Sequence, residues 1–429
     1  SSDLKLILQL YIEYSDGSTD RLVSDKTWKT SAGPIVYSSI FGGEDYDATL
    51  DLSGWRNPGY DDSGWKQAVE LSVVSGRLKS QSTPPLKAME SFMPVKITEQ
   101  KPGLWIYDMG QNSSGIPAIE VSGKRGSKIK ITPGELLDKD GRVTQEALWG
   151  PHFYQYTLKG EGVEKWQPKF TYYGFRYLQI EGAVPEGKSN PGNKTIIHEL
   201  KALHTRSSAD QVGKFNCSSP LFNDIFKLID WSIKSNMTSV ITDCPHREKM
   251  GWLEVMHLMF PSFQYNYNVQ ALFSKLVEDM AEAQTEEGLV PCITPEYTRF
   301  SDVYRQSPEW GVAAIVVPRL IYKYYGDTKP QIKHYQMMQA YHAYLSKKAK
   351  NKILDMGIGD WFDVGSNPPG PCQLTPTALT GTAFYFRVTQ MMTRISGELK
   401  KPKEAAFYRK LAEGIRHAFN QEFFDAENF

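Results

Sequence analysis

Between Thr242 and Glu254 the chain reads Thr-Asp-Cys-Pro-His-Arg-Glu-Lys-Met-Gly-Trp-Leu-Glu. Asp243, Glu248 and Glu254 share this stretch with His246, Arg247 and Trp252. A carboxyl beside an aromatic surface has its charged form desolvated; its pKa rises, and it is suited to donate a proton near neutrality. Arginine and carboxylates together grip vicinal hydroxyls through directional hydrogen bonds. This combination fits sugar hydrolysis. The plainer alternative is a charged connection in which Arg247 pairs with Asp243 or Glu248.

Two further clusters set a carboxylate beside a tryptophan at a helix boundary. One is Ser307-Pro308-Glu309-Trp310-Gly311, and the other is Gly357-Ile358-Gly359-Asp360-Trp361-Phe362-Asp363. Taken singly, each is a cap or a packing feature. Gathered at one rim, the three clusters make an acidic, Trp-walled pocket. Metal chemistry is poorly served: His246 and His257 are not spaced as a zinc pair, and no HExxH or EF-hand loop occurs. No phosphate loop is present either, so neither a metal nor a cofactor is expected. Cys244 beside His246 is a poor thiol–imidazole pair, because Pro245 stiffens the link between them.

Composition narrows the partners. The 429 residues carry 49 basic and 49 acidic side chains, which argues against duplex DNA or an anionic membrane surface as partner. No apolar run approaches the ~20 residues of a membrane span. Cysteines stand at 217, 244, 292 and 372 without a CxxC pair, so neither a zinc ribbon nor a disulfide framework is indicated. Aromatics make up 12% of the chain, with 10 Trp and 23 Tyr, which suits sugar-ring contacts and large β cores alike. The opening Ser-Ser-Asp shows no signal peptide. Nothing in the sequence speaks to oligomeric state.

The elements that must position these clusters change in texture along the chain. Residues 4–14 alternate and end in the turn Ser15-Asp16-Gly17-Ser18. Strand-like runs at 36–37, 48–52 and 68–74 continue a β-sandwich-like domain over 1–95. A second β-rich block, 96–205, has strand character at 104–107, 116–121, 128–132, 154–158 and 177–180. Gly110-Gln111-Asn112 and Gly174-Phe175-Arg176-Tyr177 interrupt it as turn and sheet-packing features. From 206 to 429 the pattern is helical. Pro220 opens the first helix behind Ser219, and Phe222, Ile225, Phe226, Ile229 and Ile233 mark one face. About seven helices follow one another, as in an α/α toroid or solenoid. The series stops after a helix without a sign of closure, so an incomplete helical domain is expected.

At these residues the chain resembles the α-L-rhamnosidases of glycoside hydrolase family 78, of the type common in gut Bacteroidetes. The likeness rests on Asp243-Cys244-Pro245-His246-Arg247-Glu248 with Gly251-Trp252, on Trp310-Gly311 and on Gly359-Asp360-Trp361. It extends upstream through Asp61-Asp62-Ser63-Gly64-Trp65, Asp108-Met109-Gly110-Gln111-Asn112 and Gly174-Phe175-Arg176-Tyr177. The resemblance implies two N-terminal antiparallel β-sandwich domains, 1–95 and 96–205, before an incomplete (α/α)6 barrel at 206–429. It implies inverting hydrolysis of terminal α-L-rhamnosides, with carbohydrate as partner and a periplasmic or extracellular address. Glu248 falls on the family's general acid, Asp243 and Arg247 on residues that hold rhamnose hydroxyls, and Trp252, Trp310 and Trp361 on its aromatic walls. Asp360 lies in the last of these motifs and is counted with the substrate-binding set.

Two positions depart from the family pattern. The usual Gly-Trp-Thr-Gly-Asp is Gly251-Trp252-Leu253-Glu254-Val255 here, and the usual Trp-Gly-Asp is Trp310-Gly311-Val312. Glu254 and Glu309 are therefore expected to take over from the binding aspartates. The family's general base falls beyond Phe429, so an internal fragment of a larger enzyme is expected. A non-catalytic sugar-binding protein on the same scaffold, or an (α/α)6 glycosidase for another sugar, stands as the alternative.

Overall fold

The computed structural model describes residues 4–71, 76–145 and 150–424. They form a β-rich N-terminal part and a helical C-terminal part. The β part is organised by one strand, Leu104–Ser122, whose 19 residues are mostly buried. It lies inside an eleven-stranded sheet between Thr195–Ser207 and Tyr173–Glu181, antiparallel to both. Sheet order continues from Tyr173–Glu181 through Lys128–Gly134 and Phe153–Thr157 to Gly43–Asp47 and Ile35–Ser39. Ile129, Ile131, Tyr154, Leu178 and Ile180 are fully buried beneath it. The register slips between Phe175 and Tyr177, and Arg176 at the slip forms a bidentate pair with Asp108 at 2.8 and 2.9 Å.

The first 95 residues do not keep to a sheet of their own. Gly43–Asp47 pairs in parallel with Phe153–Thr157, and Leu86–Phe92 pairs with Thr195–Ser207. Backbone pairing partners set this arrangement, and they leave no mark on local alternation. A short hairpin, Gln9–Glu13 with Thr19–Val23, stands apart from the sheet. The strand expected at 48–52 is instead a 3-10 turn, Ala48–Leu50. Asp47 Oδ1 accepts the Thr49 N–H at 3.0 Å and so favours the turn. Of the strand expected at 68–74, residues 72–74 lie outside the described residues, and Ala68–Leu71 is not a strand.

The helical part begins with α1 (Pro220–Asn236), α2 (Leu253–Leu258), α3 (Phe260–Asn266) and α4 (Gln270–Ala283). It continues with α5 (Val303–Gln306), α6 (Pro308–Gly311), α7 (Ala313–Tyr325), α8 (Lys329–Lys333) and α9 (Tyr335–Lys348). It ends with α10 (Thr377–Glu398) and α11 (Pro402–Phe423). Leu253, Met256, Phe260, Phe273, Leu276 and Ile315 are fully buried in its core. α7 is apolar nearly all round and packs against α4, α2 and α10, as an inner helix must. On α1 only part of the expected face is covered: Ile233 is buried, whereas Phe222, Ile225 and Ile229 remain exposed.

Candidate active site

α1 ends at Asn236, and from Asp243 to Trp252 the chain runs as a loop, Pro245 disfavouring a helical Cys244. It is pinned on both flanks. Asp243 Oδ1 accepts the Met250 N–H at 3.0 Å, and the Cys244 thiol donates to Asp243 Oδ2 at 3.0 Å. The Glu248 N–H in turn donates to Cys244 Sγ at 3.3 Å. On the side of the β part, Gly174 N–H donates to the Pro245 carbonyl at 2.9 Å, and His246 stands 3.4 Å from Glu135. Lys249 is buried with a backbone φ of +53°, and its Nζ donates to the carbonyls of Ile40 and Tyr172, each at 2.6 Å. Burial pushes its ammonium down to about 7. At the far end, Gly251 and Trp252 lie along the Cys292–Thr294 backbone, with Thr294 N–H donating to Gly251 O at 3.1 Å. A Cβ on Gly251 would sit 2.6 Å from the Thr294 carbonyl, so only glycine fits there.

The loop opens onto a cavity of about 460 Å³. Asp243, Arg247, Glu248, Trp252, Glu254, Trp310 and Trp361 line it, so seven of the nine residues expected at the site converge. Trp252 Nε1 donates to Glu248 Oε2 at 2.8 Å, and Arg247 reaches Glu248 Oε1 at 3.5 Å. Arg247 Nε is buried and has no hydrogen-bond partner in the protein. Burial is the main cause that raises the Asp243 carboxyl, to about 6; the nearby Glu248 charge adds to it, and the Cys244 thiol opposes it. Burial also raises Glu254, in the first turn of α2. The tryptophans form a chain of rings, Trp252 to Trp310 at 6.3 Å and Trp310 to Trp361 at 6.4 Å.

The other two expected residues are placed elsewhere. Asp360 does not line the cavity. Glu309 is 5% exposed and does not line the cavity; its Oε1 accepts the Gly359 N–H at 3.1 Å and the Thr380 hydroxyl at 3.3 Å. Glu309 is thus tied to the Gly359 backbone and to α10, and it is not among the residues that line the cavity beside Trp310. Val312 is fully buried and supplies no polar contact either. Phe300 and Tyr304 line the cavity unforeseen. Phe300 stacks on Trp252 at 5.3 Å, and Tyr304 meets Trp361 edge-on at 6.1 Å. Among the described residues no group of His, Cys, Asp and Glu is arranged to hold a metal ion, and no helix is long and apolar enough to cross a membrane.

A helical part that gathers carboxylates and tryptophans in one cavity thus follows a β-rich part. Residues 210–428 match the bacterial alpha-L-rhamnosidase 6 hairpin glycosidase domain, 98–201 the bacterial alpha-L-rhamnosidase concanavalin-like domain, and 1–90 the alpha-L-rhamnosidase N-terminal domain. The chain belongs to the bacterial α-L-rhamnosidase family. An alpha-L-rhamnosidase of Formosa agariphila is 32% identical over 96% of the chain and 44% of its own length. One of Streptomyces avermitilis is 31% identical over 96% of the chain and 39% of its own length. The chain therefore spans less than half the length of these relatives. Among solved structures, the alpha-L-rhamnosidase from Dictyoglumus thermophilum superposes with a TM-score of 0.90 at 32% identity, covering 98% of this chain and 46% of that one. The Streptomyces avermitilis alpha-L-rhamnosidase complexed with L-rhamnose gives 0.88 at 30% identity, covering 98% and 39%.

Proposed function

We propose that this chain carries the acid side of an inverting α-L-rhamnosidase that releases terminal L-rhamnose from glycosides or plant polysaccharides. The observation that carries this reading is the Glu248 carboxyl, fixed at the wall of a tryptophan-lined cavity by the Trp252 indole N–H. The indole fixes Oε2 and Arg247 reaches Oε1, so the carboxyl is oriented to protonate the leaving oxygen as general acid. Asp243 and Arg247 hold ring hydroxyls, the orphaned Arg247 Nε being a donor that needs such a partner. Glu254 serves the same end from α2. Trp252, Trp310 and Trp361 receive the apolar face of the deoxy sugar. The water-activating base is assigned to no residue of this chain.

The same reading divides the chain into β-sandwich domains at 1–95 and 96–205 and the first part of an (α/α)6 barrel at 206–429. A periplasmic or extracellular address is proposed by analogy with enzymes that work on plant polysaccharide.

The test uses the full-length enzyme with an aryl α-L-rhamnoside. Glu248→Gln is expected to lower kcat by about 10²–10⁴-fold while L-rhamnose still binds. Unchanged turnover would remove Glu248 from the acid role. Release of a different sugar from a panel of aryl glycosides would overturn the substrate.

A further inference from the structure

The buried carboxyl of Glu309 has no place in that mechanism, yet it is built into the wall behind it. Its Oε1 accepts from the Gly359 N–H and from Thr380 Oγ1 on α10. Its Oε2 is buried without a partner. Gly357 packs directly onto the carboxyl with φ at +123°, and a Cβ there would stand 2.5 Å from Oε2. The Glu309 main chain is held as well, its carbonyl meeting His257 Nε2 of α2 at 2.8 Å. The segment clasped in this way, Gly357-Ile358-Gly359, leads directly to Trp361, and both Ile358 and Trp361 line the cavity. Trp361 is 38% exposed, with ring contacts to Trp310, Tyr304 and its neighbour Phe362. Edge contacts of this kind leave an exposed indole free to swing unless its backbone is fixed.

We infer that Glu309 is a positioning residue, a strut that ties the Gly357–Gly359 backbone to α6 and α10 and so holds Trp361 in the sugar-binding wall. Since the carboxyl does not line the cavity and its Oε1 is taken by Gly359 and Thr380, its action on the substrate runs through that tryptophan. The inference rests on the cavity being the rhamnose site proposed above. It replaces a sugar contact at Glu309 with a mechanical one, in keeping with the carboxyl-to-backbone bond to Gly359.

Four variants of the full-length enzyme test this: E309A, E309Q, W361A and the E309A/W361A double. Rhamnoside kinetics, L-rhamnose binding by tryptophan fluorescence, and melting temperature are the readouts. E309A is expected to raise KM about tenfold with kcat changed less than about threefold, because a wall is loosened and the acid is untouched. E309Q, whose amide oxygen still accepts the Gly359 N–H, is expected within about threefold of the parent. The double variant is expected to bind no worse than W361A, since the two residues act in series. A carboxyl that touches the sugar would give the opposite: E309Q as impaired as E309A, and losses that multiply in the double. Should E309A fail to fold, T380V removes one of the two contacts and is expected to raise KM in the same direction; an unchanged KM there overturns the strut. A parent enzyme that neither binds nor cleaves rhamnosides would sink the substrate reading instead. In that event acrylamide quenching of Trp361, greater in E309A than in E309Q, still supports the strut, and equal quenching overturns it.

Discussion

Trp252 donates its indole N–H to Glu248 Oε2 at 2.8 Å, four residues back along the chain. One side chain thus does two jobs: it aims a carboxyl, and with Phe300 stacked behind it at 5.3 Å it forms a wall. Trp252→Phe separates the two. The ring survives and the donor is lost, so kcat is expected to fall about ten- to a hundredfold with little change in KM. Trp252→Ala is expected to raise KM as well. Steady-state kinetics on an aryl rhamnoside distinguishes the outcomes.

Asp243 gives a pH signature. Its carboxyl titrates near 6 rather than at the ordinary 3.8, chiefly through burial. The folded state therefore binds this proton more tightly than the unfolded chain. Its stabilising effect is present below pH 3.8 and is lost as pH rises through 6. Above that the fold carries a desolvated charge. Asp243→Asn is expected to stabilise the protein at pH 7.5 by on the order of 1–2 kcal/mol, and not at pH 4, while lowering kcat/KM at least about tenfold. Thermal melts at the two pH values and an acidic limb of the rate profile near 6 in the parent check this.

Glu254 lines the cavity from the first turn of α2, and its carboxyl is raised by burial. If it grips a hydroxyl, Glu254→Gln weakens one hydrogen bond without removing the acid. KM is expected to rise about three- to tenfold and kcat to fall less. A loss confined to kcat would point to a proton-transfer role for this residue.

A substitution far from the cavity is expected to act on it. A Cβ on Gly174 would stand 2.6 Å from Pro245 Cγ, and the Gly174 N–H also holds the Pro245 carbonyl. Gly174→Ala pushes the loop off its seat. About 1–3 kcal/mol of stability is expected to go with it, along with a fall in kcat that denaturation and kinetics on the same preparation will register.

What the sequence made legible follows from the range of the interactions involved. Asp243, Arg247, Glu248, Trp252 and Glu254 lie in one short loop, so their types alone announced a common site. Trp310 and Trp361 were legible because each stands beside a carboxylate, Trp310 in the short α6 and Trp361 in the Gly-rich connection between α9 and α10. Glu309 and Asp360 adjoin Trp310 and Trp361 in sequence, but adjacency does not tell whether a carboxyl reaches the cavity that its neighbour lines. Phe300 and Tyr304 carried no signal: an aromatic in an irregular run or in the one-turn α5 looks like any other until the chain is folded back. Pro220 opens α1 behind Ser219 as expected, but about seven helices were expected where eleven helical segments are described, because short one- and two-turn helices leave little apolar spacing to read. The parallel pairing of Gly43–Asp47 with Phe153–Thr157 was not legible, since that partner lies more than a hundred residues away.

Lys249 follows Glu248 directly, and its ammonium is claimed by carbonyls of Ile40 and Tyr172. Both come from the β part. The residue next to the acid is therefore anchored in a different structural unit from the helices that carry the cavity. Helical part and β part cannot be traded independently between enzymes: a graft that supplies only residues 206–429 leaves this ammonium buried against nothing, and the loop loses its reference point. Inheritance of the site is thus indivisible across a boundary that looks, in the linear sequence, like a seam.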